Sequence, residues 1–218
     1  MTLRVVAIDG AAGSGKSTLA RGLARALGLP YLNTGIMYRA LTLEAIRRGA
    51  PLDDGDGLAA LMATLRFSLG HGSPRELEVE GSPPSLDLEG PDVEANVSQV
   101  AAHPQVRVLM RDTQRALGLA GGVVEGRDIG SVVFPDAPMK LYLVADPTER
   151  IERRAVERAA GADHVGAALE TRDERDSRVN PFVPPVGAIE IDTTELDIER
   201  TLELALEIVG RDAPELLP

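Results

Sequence analysis

A glycine-rich segment between an apolar run and a leucine stripe constrains the fold of this chain more than any other feature. The apolar run, residues 3–8, is rich in β-branched residues, which favours a buried strand. The segment DGAAGSGKST, residues 9–18, follows it. Leucines then recur at every fourth position from Leu19 to Leu27, which predicts a helix that ends at Gly28. This order of strand, glycine loop and helix predicts an α/β fold.

The glycine-rich segment matches the pattern G-x-x-x-x-G-K-[ST] at Gly10, Gly15, Lys16 and Ser17. Backbone N–H groups of such a loop, with the positive end of the next helix, can surround a polyphosphate. Lysine suits the position because its compact charge reaches between the β- and γ-phosphates, where a wide guanidinium fits poorly. The chain otherwise uses arginine, since Lys140 is its only other lysine.

We therefore expect the loop to bind ATP. The predicted contacts are Gly10, Ala11, Ala12, Gly13, Ser14, Gly15, Lys16, Ser17 and Thr18. Lys16 would act in catalysis, and the Ser17 hydroxyl would be a ligand of Mg²⁺ bound with ATP. The alternative is a glycine-rich turn that is capped by Ser14 or Ser17.

Composition excludes several other classes of function. The net charge of -11 disfavours binding to nucleic acid or to an anionic membrane, both of which need a basic surface. The absence of cysteine excludes disulfides and thiolate sites, and the three histidines have no metal-ligand spacing. Residues 3–8 are too few to span a membrane, and no small-residue cleavage site follows them. We expect a single cytoplasmic domain.

Strand and helix patterns alternate along most of the chain. Further strands are predicted at residues 30–33, 123–124 with flanking residues, 140–144 and 188–191. Further helices are predicted at residues 35–48, 147–160 and 198–209. This alternation predicts a parallel sheet with helices on both faces.

Two segments interrupt the alternation. Residues 67–91 contain ELEVE and SLDLE, whose alternating apolar and polar residues predict a small antiparallel insertion. Residues 163–184 are rich in charge and in loop signals, and the arginines around Arg175 make this segment a candidate lid. Its alternative is a solvated helix face on which Arg172, Arg175 and Asp176 form ordinary surface pairs.

Arginines cluster in three short segments, TGIMYRA, VEGRDIGS and RDERDSR, which fall at strand ends, in loops or at helix starts. Ligands of open parallel sheets gather at the carboxyl ends of the strands. A second anion beside the triphosphate would explain such clusters, because transfer between two nucleotides requires cations that offset phosphate repulsion. A guanine-specific switch is disfavoured, because neither lysine follows an asparagine as N-K-x-D requires.

Five segments occur in the order and approximate spacing of bacterial cytidylate kinases, which phosphorylate CMP and dCMP with ATP. They are AIDGAAGSGKST, NTGIMYRALT, VSQVAAHPQVR, VVEGRDIGSVVFPDAPMKLYLVA and RDERDSR. The chain resembles this family over nearly its whole length. The resemblance implies a P-loop nucleoside monophosphate kinase fold, with a five-stranded parallel sheet, an inserted NMP-binding region and a small lid.

The same resemblance implies one domain, residues 1–218, and a monomer. Its core would comprise residues 1–33, 105–160 and 185–218, its NMP-binding region residues 34–104 and its lid residues 161–184.

The resemblance also implies roles for individual residues. Ser98, Arg107 and Asp128 would bind cytosine, and Asp176 would bind the ribose. Thr34, Arg39 and Arg127 would hold the acceptor phosphate. Arg172 and Arg154 would contact the transferring phosphates. Cytosine chemistry agrees, because its exocyclic amine donates to a carboxylate while its O2 and N3 accept hydrogen bonds. The residues alone leave other readings open. Ser98 and Arg107 could lie on a helix surface, and Asp128 and Thr34 could cap the elements that follow them.

The chain departs from the family pattern at three places. Thr34 replaces a serine and keeps its hydroxyl, whereas Glu89 stands where an arginine is common. The lid is about two residues shorter before Pro181, and Arg178 would supply an arginine that the pattern places further along.

Two other classes of function stay open on the sequence. One is a kinase for UMP, AMP or a small alcohol such as shikimate. The insertion and the GRD segment disfavour the small alcohol. The other is a nonenzymatic nucleotide-dependent switch, which has no need of three arginine clusters.

The base-reading assignment predicts the behaviour of Asp128→Asn. Because a carboxylate accepts from the cytosine amine and faces an acceptor in uracil, the variant should lose turnover of CMP more than turnover of UMP. Parallel assays with both monophosphates check this. An equal loss with both substrates would make Asp128 a structural residue.

Overall fold

The computed structural model describes residues 3–158 and 162–218. Within these residues the strands are β1 (Val5–Gly10), β2 (Tyr31–Asn33), β3 (Phe67–Leu69), β4 (Leu77–Val79), β5 (Gly122–Gly126), β6 (Met139–Val144) and β7 (Ile189–Asp192). The helices are α1 (Lys16–Leu27), α2 (Thr34–Arg48), α3 (Gly55–Met62), α4 (Pro91–Ala102), α5 (Pro104–Gly118), α6 (Pro147–Arg158), α7 (Ala162–Val179) and α8 (Ile198–Asp212).

Five strands form one parallel sheet in the order β2-β5-β1-β6-β7. In the centre, β1 pairs with β5 from Val5 opposite Gly122 and with β6 from Val6 opposite Met139. All six residues of β1 are buried, as expected for a strand that is covered on both faces. The predicted α/β fold with a five-stranded parallel sheet is confirmed.

Helices cover both faces of the sheet because successive side chains of β1 point to opposite sides. Val6 and Ile8 lie in a buried cluster with residues of α1 and α8. Val5 and Ala7 lie in a second cluster with residues of α2, α3 and α5. The glycine loop between β1 and α1 is therefore fixed at both of its ends by the core.

The inserted segment contains a hairpin, as its first half predicts. β3 and β4 pair antiparallel with Phe67 opposite Val79. The prediction was wrong for SLDLE, which forms a 3₁₀ helix at Leu86–Glu89. Its leucines alternate as in a strand, but Leu88 is buried while Leu86 is exposed, and the Leu88 carbonyl accepts a hydrogen bond from Arg39.

The segment predicted as a loop-rich lid is mostly helical, since α7 extends over residues 162–179. Arg172 and Asp176 lie one turn apart on α7 and face α4, where Arg172 pairs with Glu94 and Asp176 accepts from Ser98. The alternative of a solvated helix face is thus wrong for these two side chains, although Arg175 remains exposed. No helix in the described residues has the length and hydropathy that crossing a bilayer requires.

Some predicted boundaries fall outside the described residues. These are residues 1–2 of the expected core, residues 159–160 of the predicted helix 147–160, and residue 161 of the expected lid.

The buried sheet predicts a large cost for Leu141→Ala. Leu141 is fully buried in β6, so its truncation should lower the free energy of unfolding by about 2–5 kcal/mol. Leu119→Ala is the matched control, because that leucine is 70% exposed and its loss should cost about 0.5 kcal/mol or less. Urea denaturation measures both values, and equal losses would contradict the placement of β6 in the core.

Candidate active site

A cleft of about 570 Å³ lies at the carboxyl ends of β1, β2 and β5. It is lined by side chains from the glycine loop, α2, α4, α5, the segment after β5, α6 and α7. Most of the predicted site residues line it, namely Ala12, Gly13, Lys16, Ser17, Thr18, Thr34, Arg39, Ser98, Arg107, Arg127, Asp128, Arg154, Arg172 and Asp176. The fold therefore brings together residues that are up to 164 positions apart along the chain, between Ala12 and Asp176.

The glycines of the loop are required by close approach and by backbone conformation. Gly10 has φ 147°, and a Cβ there would overlap the Leu143 carbonyl oxygen. Gly13 has φ 76°, and a Cβ there would lie 2.8 Å from the Arg150 carbonyl oxygen. Gly15 has φ 85° and is the N-cap residue of α1, so no side chain caps this helix. Ser14 donates to the Ala11 carbonyl instead, which makes the alternative of a serine-capped turn wrong.

Lys16 is the first residue of α1 and is almost fully buried. Its Nζ donates to the Ala11 carbonyl oxygen and lies 3.5 Å from Ser14 Oγ. Burial and the nearby Arg127 guanidinium lower the pKa of Lys16 to about 7. An anion in the cleft would reverse this shift, because it favours the charged ammonium.

The chemistry of Ser17 fits a single hydroxyl ligand of Mg²⁺. Ser17 is exposed on the first turn of α1 and lines the cleft beside Lys16. Mg²⁺ commonly keeps several waters and takes its other ligands from substrate phosphates, so it needs few protein ligands. Within residues 3–158 and 162–218, no group of three His, Cys, Asp or Glu side chains could hold a metal ion.

Asp9, the penultimate residue of β1, is a site residue that the sequence analysis missed. Its two carboxylate oxygens accept 2.7 Å hydrogen bonds from the N–H groups of Ile129 and Gly130. Burial raises the pKa of Asp9 to about 6 although these hydrogen bonds favour the charged form. The sequence signal that could have identified Asp9 is the position of a carboxylate at the end of an apolar strand. Asp9 connects the strand before the glycine loop with the segment that carries Arg127 and Asp128.

Arg127 lies between the glycine loop and α7. Its Nη1 donates to the Gly10 carbonyl at 2.6 Å, and its Nη2 lies 2.9 Å from Asp176 Oδ2. The guanidinium carbon is 5.7 Å from the centre of the Phe182 ring. Burial, and then the like charge of Arg172, lowers the pKa of Arg127. Asp176 therefore offsets a desolvated cation at the point where the two predicted phosphate sites meet.

Two of the predicted base readers contact each other. Arg107 Nη2 donates to Asp128 Oδ2 at 2.6 Å and to Asn180 Oδ1 at 2.9 Å. Asp128 makes no capping hydrogen bond to the π-helical turn Ile129–Val133, so its alternative role as a cap is wrong. Ser98 is buried and donates to Asp176 Oδ1 at 2.8 Å, so it is not a surface serine. All these side chains line the cleft.

Thr34 begins α2 but does not cap it. The N-cap is Asn33, whose Oδ1 accepts from the Ile36 N–H at 3.3 Å. Thr34 Oγ1 instead donates to the Glu125 carbonyl at 2.7 Å. The Glu125 carboxylate accepts a hydrogen bond from the Tyr31 hydroxyl, and burial raises the pKa of Tyr31. These contacts join the ends of β2 and β5 below the cleft.

A carboxylate also joins two of the predicted phosphate-binding arginines. Glu94 accepts from Arg39 Nη2 through one oxygen and from Arg172 Nη1 through the other. Burial, and then the like charge of Arg172, lowers the pKa of Arg39. Arg172 Nε is buried without a hydrogen-bond partner in the described residues. Sequence reasoning missed Glu94, because the helix register that turns it toward Arg39 depends on the packing of α4 against α2.

The remaining arginines divide between the cleft and a groove beside it. Arg150, which sequence reasoning also missed, donates to the Ala12 carbonyl at 3.1 Å and to Asp173 at 2.6 Å, so it ties α6 to the loop and to α7. Arg154 lines the cleft, as expected. Arg178 does not line it, and lies with Arg175 in a groove between α4 and α7.

Comparison with known proteins gives a consistent family. The sequence profile of the cytidylate kinase family matches residues 6–211. A cytidylate kinase of Limosilactobacillus fermentum is 38% identical over 215 residues, which cover 94% of this chain and 94% of that protein. A bifunctional pantoate ligase/cytidylate kinase of Synechococcus sp. is 43% identical over 229 residues, which cover 98% of this chain and 42% of that protein. A solved sugar kinase from Janibacter sp. HTCC2649 has a TM-score of 0.50 at 17% identity over 100% of this chain and 99% of its own, which shows likeness of fold alone.

The lowered pKa of Lys16 predicts proton uptake on ATP binding. At pH 8 the buried lysine, with its pKa near 7, is mostly neutral, and the triphosphate should restore its proton; at pH 6 it is already charged and uptake should vanish. Calorimetry in two buffers of different ionisation enthalpy measures the uptake. Lys16→Met should abolish it and lower ATP turnover by roughly a hundredfold or more while the fold is retained.

Lys140→Met is the matched control, because it removes the other lysine, whose Nζ donates to the Val186 carbonyl away from the cleft. It should keep both turnover and proton uptake. Near-normal activity of Lys16→Met would overturn the phosphate-loop assignment.

Proposed function

The chain belongs to the cytidylate kinase family, and from this premise we propose that it transfers the γ-phosphoryl group of ATP to CMP or dCMP, giving ADP and CDP or dCDP. The observation that carries the proposal is the shared cleft. Arg107 and Asp128, which suit cytosine, line the same cleft as Lys16 and Ser17 of the glycine loop. The proposed donor and acceptor sites thus share one space.

The acceptor side has the hydrogen-bonding groups that cytosine needs. The Asp128 carboxylate can accept from the exocyclic amine, and Arg107 can donate to the ring acceptors. Ser98, whose single hydroxyl proton goes to Asp176 here, would donate to the base once it exchanges this partner. Asp176 is proposed to bind the ribose. The pairs Arg107–Asp128 and Ser98–Asp176, at 2.6 and 2.8 Å, support these roles because each holds its partner's side chain within the cleft.

Transfer is proposed to be direct and in line, without a covalent enzyme intermediate. Thr34, Arg39 and Arg127 would hold the acceptor phosphate, and Lys16, Arg154 and Arg172 would stabilise charge on the transferring group. These cations come from different elements, so closure of α7 on the cleft would complete the set and exclude water. Arg178 is not assigned to a phosphate, because its side chain lies in the groove between α4 and α7.

Mg²⁺ would be held by Ser17 together with the ATP phosphates, and when bound it neutralises charge on the β- and γ-phosphates. Ser17 would orient the ion from the first turn of α1. We further propose a monomeric cytoplasmic enzyme without a nucleic-acid or membrane partner. In it, residues 34–104 form the NMP-binding region, residues 161–184 the lid, and the rest of the chain the core.

The proposal predicts the acceptor range of ADP release. With Mg-ATP, turnover should be well above background with CMP and dCMP and much lower with UMP, AMP, GMP and dTMP, because only cytosine matches Asp128 and Arg107. A coupled assay on the purified chain measures all six in parallel. Lys16→Met serves as the inactive control for contaminating kinases.

Two results would contradict the proposal. ADP release that is independent of any acceptor would indicate an ATPase or a nucleotide-dependent switch. A preference for another base would overturn the roles of Asp128 and Arg107.

A further inference from the structure

Glu94 occupies an unusual place for an acid, among the cations that we assign to phosphates. It lies in the first turn of α4, and its side chain is 17% exposed. One carboxylate oxygen is 2.5 Å from Arg39 Nη2 on α2, and the other is 2.8 Å from Arg172 Nη1 on α7. Each oxygen therefore contacts a different guanidinium, and the carboxylate bridges α2 and α7.

A phosphate in the cleft would use the same N–H donors of Arg39 and Arg172. Guanidinium groups bind carboxylate and phosphate through the same N–H edges, so one Nη cannot give a full hydrogen bond to both anions at once. Arg39 was assigned to the acceptor phosphate and Arg172 to the transferring phosphates. Bound phosphates would therefore compete with Glu94 for these donors of Arg39 and Arg172.

Phosphate has two advantages over the carboxylate in this competition. It carries up to two charges and three terminal oxygens, whereas Glu94 offers one charge and two oxygens. Arg172 Nε is buried without a hydrogen-bond partner in the described residues, since Asp176 Oδ2 is 3.7 Å away, and is a donor that Glu94 leaves unused. Arg39 Nη1 stays bound to the Leu88 carbonyl at 3.0 Å, which keeps this arginine oriented if Glu94 releases it.

We propose that Glu94 is a positioning residue that holds Arg39 and Arg172 in the cleft and competes with the phosphate of the monophosphate substrate for Arg39, which weakens acceptor binding. The inference rests on the proposed function, because that function places the acceptor phosphate at Arg39. A purely structural ion pair at Glu94 would not make ligand affinity depend on whether the ligand carries a phosphate.

Glu94→Gln tests the competition. The amide keeps the shape of the side chain and removes its charge, so CMP should bind roughly tenfold more tightly, as expected when a like charge next to the phosphate is lost. Cytidine, which lacks the phosphate, should bind with unchanged affinity. The KM for CMP should fall with the dissociation constant, and kcat should also fall because the two arginines lose their common partner. Titration calorimetry with CMP and cytidine, and steady-state kinetics, measure these values.

Asp92→Asn is the matched control, since it removes the same charge from the same turn of α4 at an exposed position outside the cleft. It should leave CMP affinity, KM and kcat unchanged. Glu94→Asp provides a second test if the glutamine variant does not fold. Its shorter carboxylate cannot reach both guanidinium groups, so CMP should bind more tightly than to the unaltered chain, but by a smaller factor than in Glu94→Gln.

Unchanged or weaker CMP binding in Glu94→Gln or Glu94→Asp would overturn the inference, and so would an equal change for CMP and cytidine. Turnover of CMP by the unaltered chain decides the proposed function separately. Inorganic phosphate, followed by thermal shift, is a probe that does not depend on CMP. If CMP is not a substrate, larger stabilisation of Glu94→Gln than of the unaltered chain by phosphate would still support competition at Arg39 and Arg172, and equal stabilisation would overturn it.

Discussion

Mutual repulsion among buried cations is the constraint on which the cleft depends. Lys16, Arg39, Arg127 and Arg172 line one space, and burial together with like-charged neighbours lowers the pKa of the first three. Carboxylates lie between these cations. Glu94 bridges Arg39 and Arg172, and Asp176 pairs with Arg127. The protein can thus concentrate positive charge for a polyphosphate although its net charge is -11.

The sheet supplies the rigid frame for this charge arrangement. β1 lies between β5 and β6, so the glycine loop and the segment after β5 emerge side by side. Asp9 then fixes their spacing, because its carboxylate accepts from the Ile129 and Gly130 N–H groups. Arg127 adds a second link through the Gly10 carbonyl. A displacement of either segment would therefore affect both the proposed donor side and the proposed acceptor side of the cleft.

One face of α7, with the residue just beyond it, contacts α4, α5 and the segment after β5. Arg172 contacts Glu94, Asp176 contacts Ser98 and Arg127, and Asn180, just beyond the helix, contacts Arg107. These three residues are spaced four apart, so they project to the same side. On the proposed assignment, nucleotide and helix would use the same side chains, so ligand binding would be coupled to the docking of α7.

The family resemblance implied most of the other side chains that meet in the cleft, whereas the sequence by itself determined the parallel sheet and the glycine loop. These follow from local patterns, namely apolar runs, leucine spacing and a glycine motif whose conformation few other residues can adopt. Tertiary structure decided the rest. The charged residues of α7 are typical of a loop, but they form a helix because Arg172 and Asp176 find partners on α4. The alternation of SLDLE is typical of a strand, but the segment is a 3₁₀ helix in which Leu88 is buried. The places of Asp9 and Glu94 depend on contacts with residues 120 and 55 positions away, which no local pattern encodes.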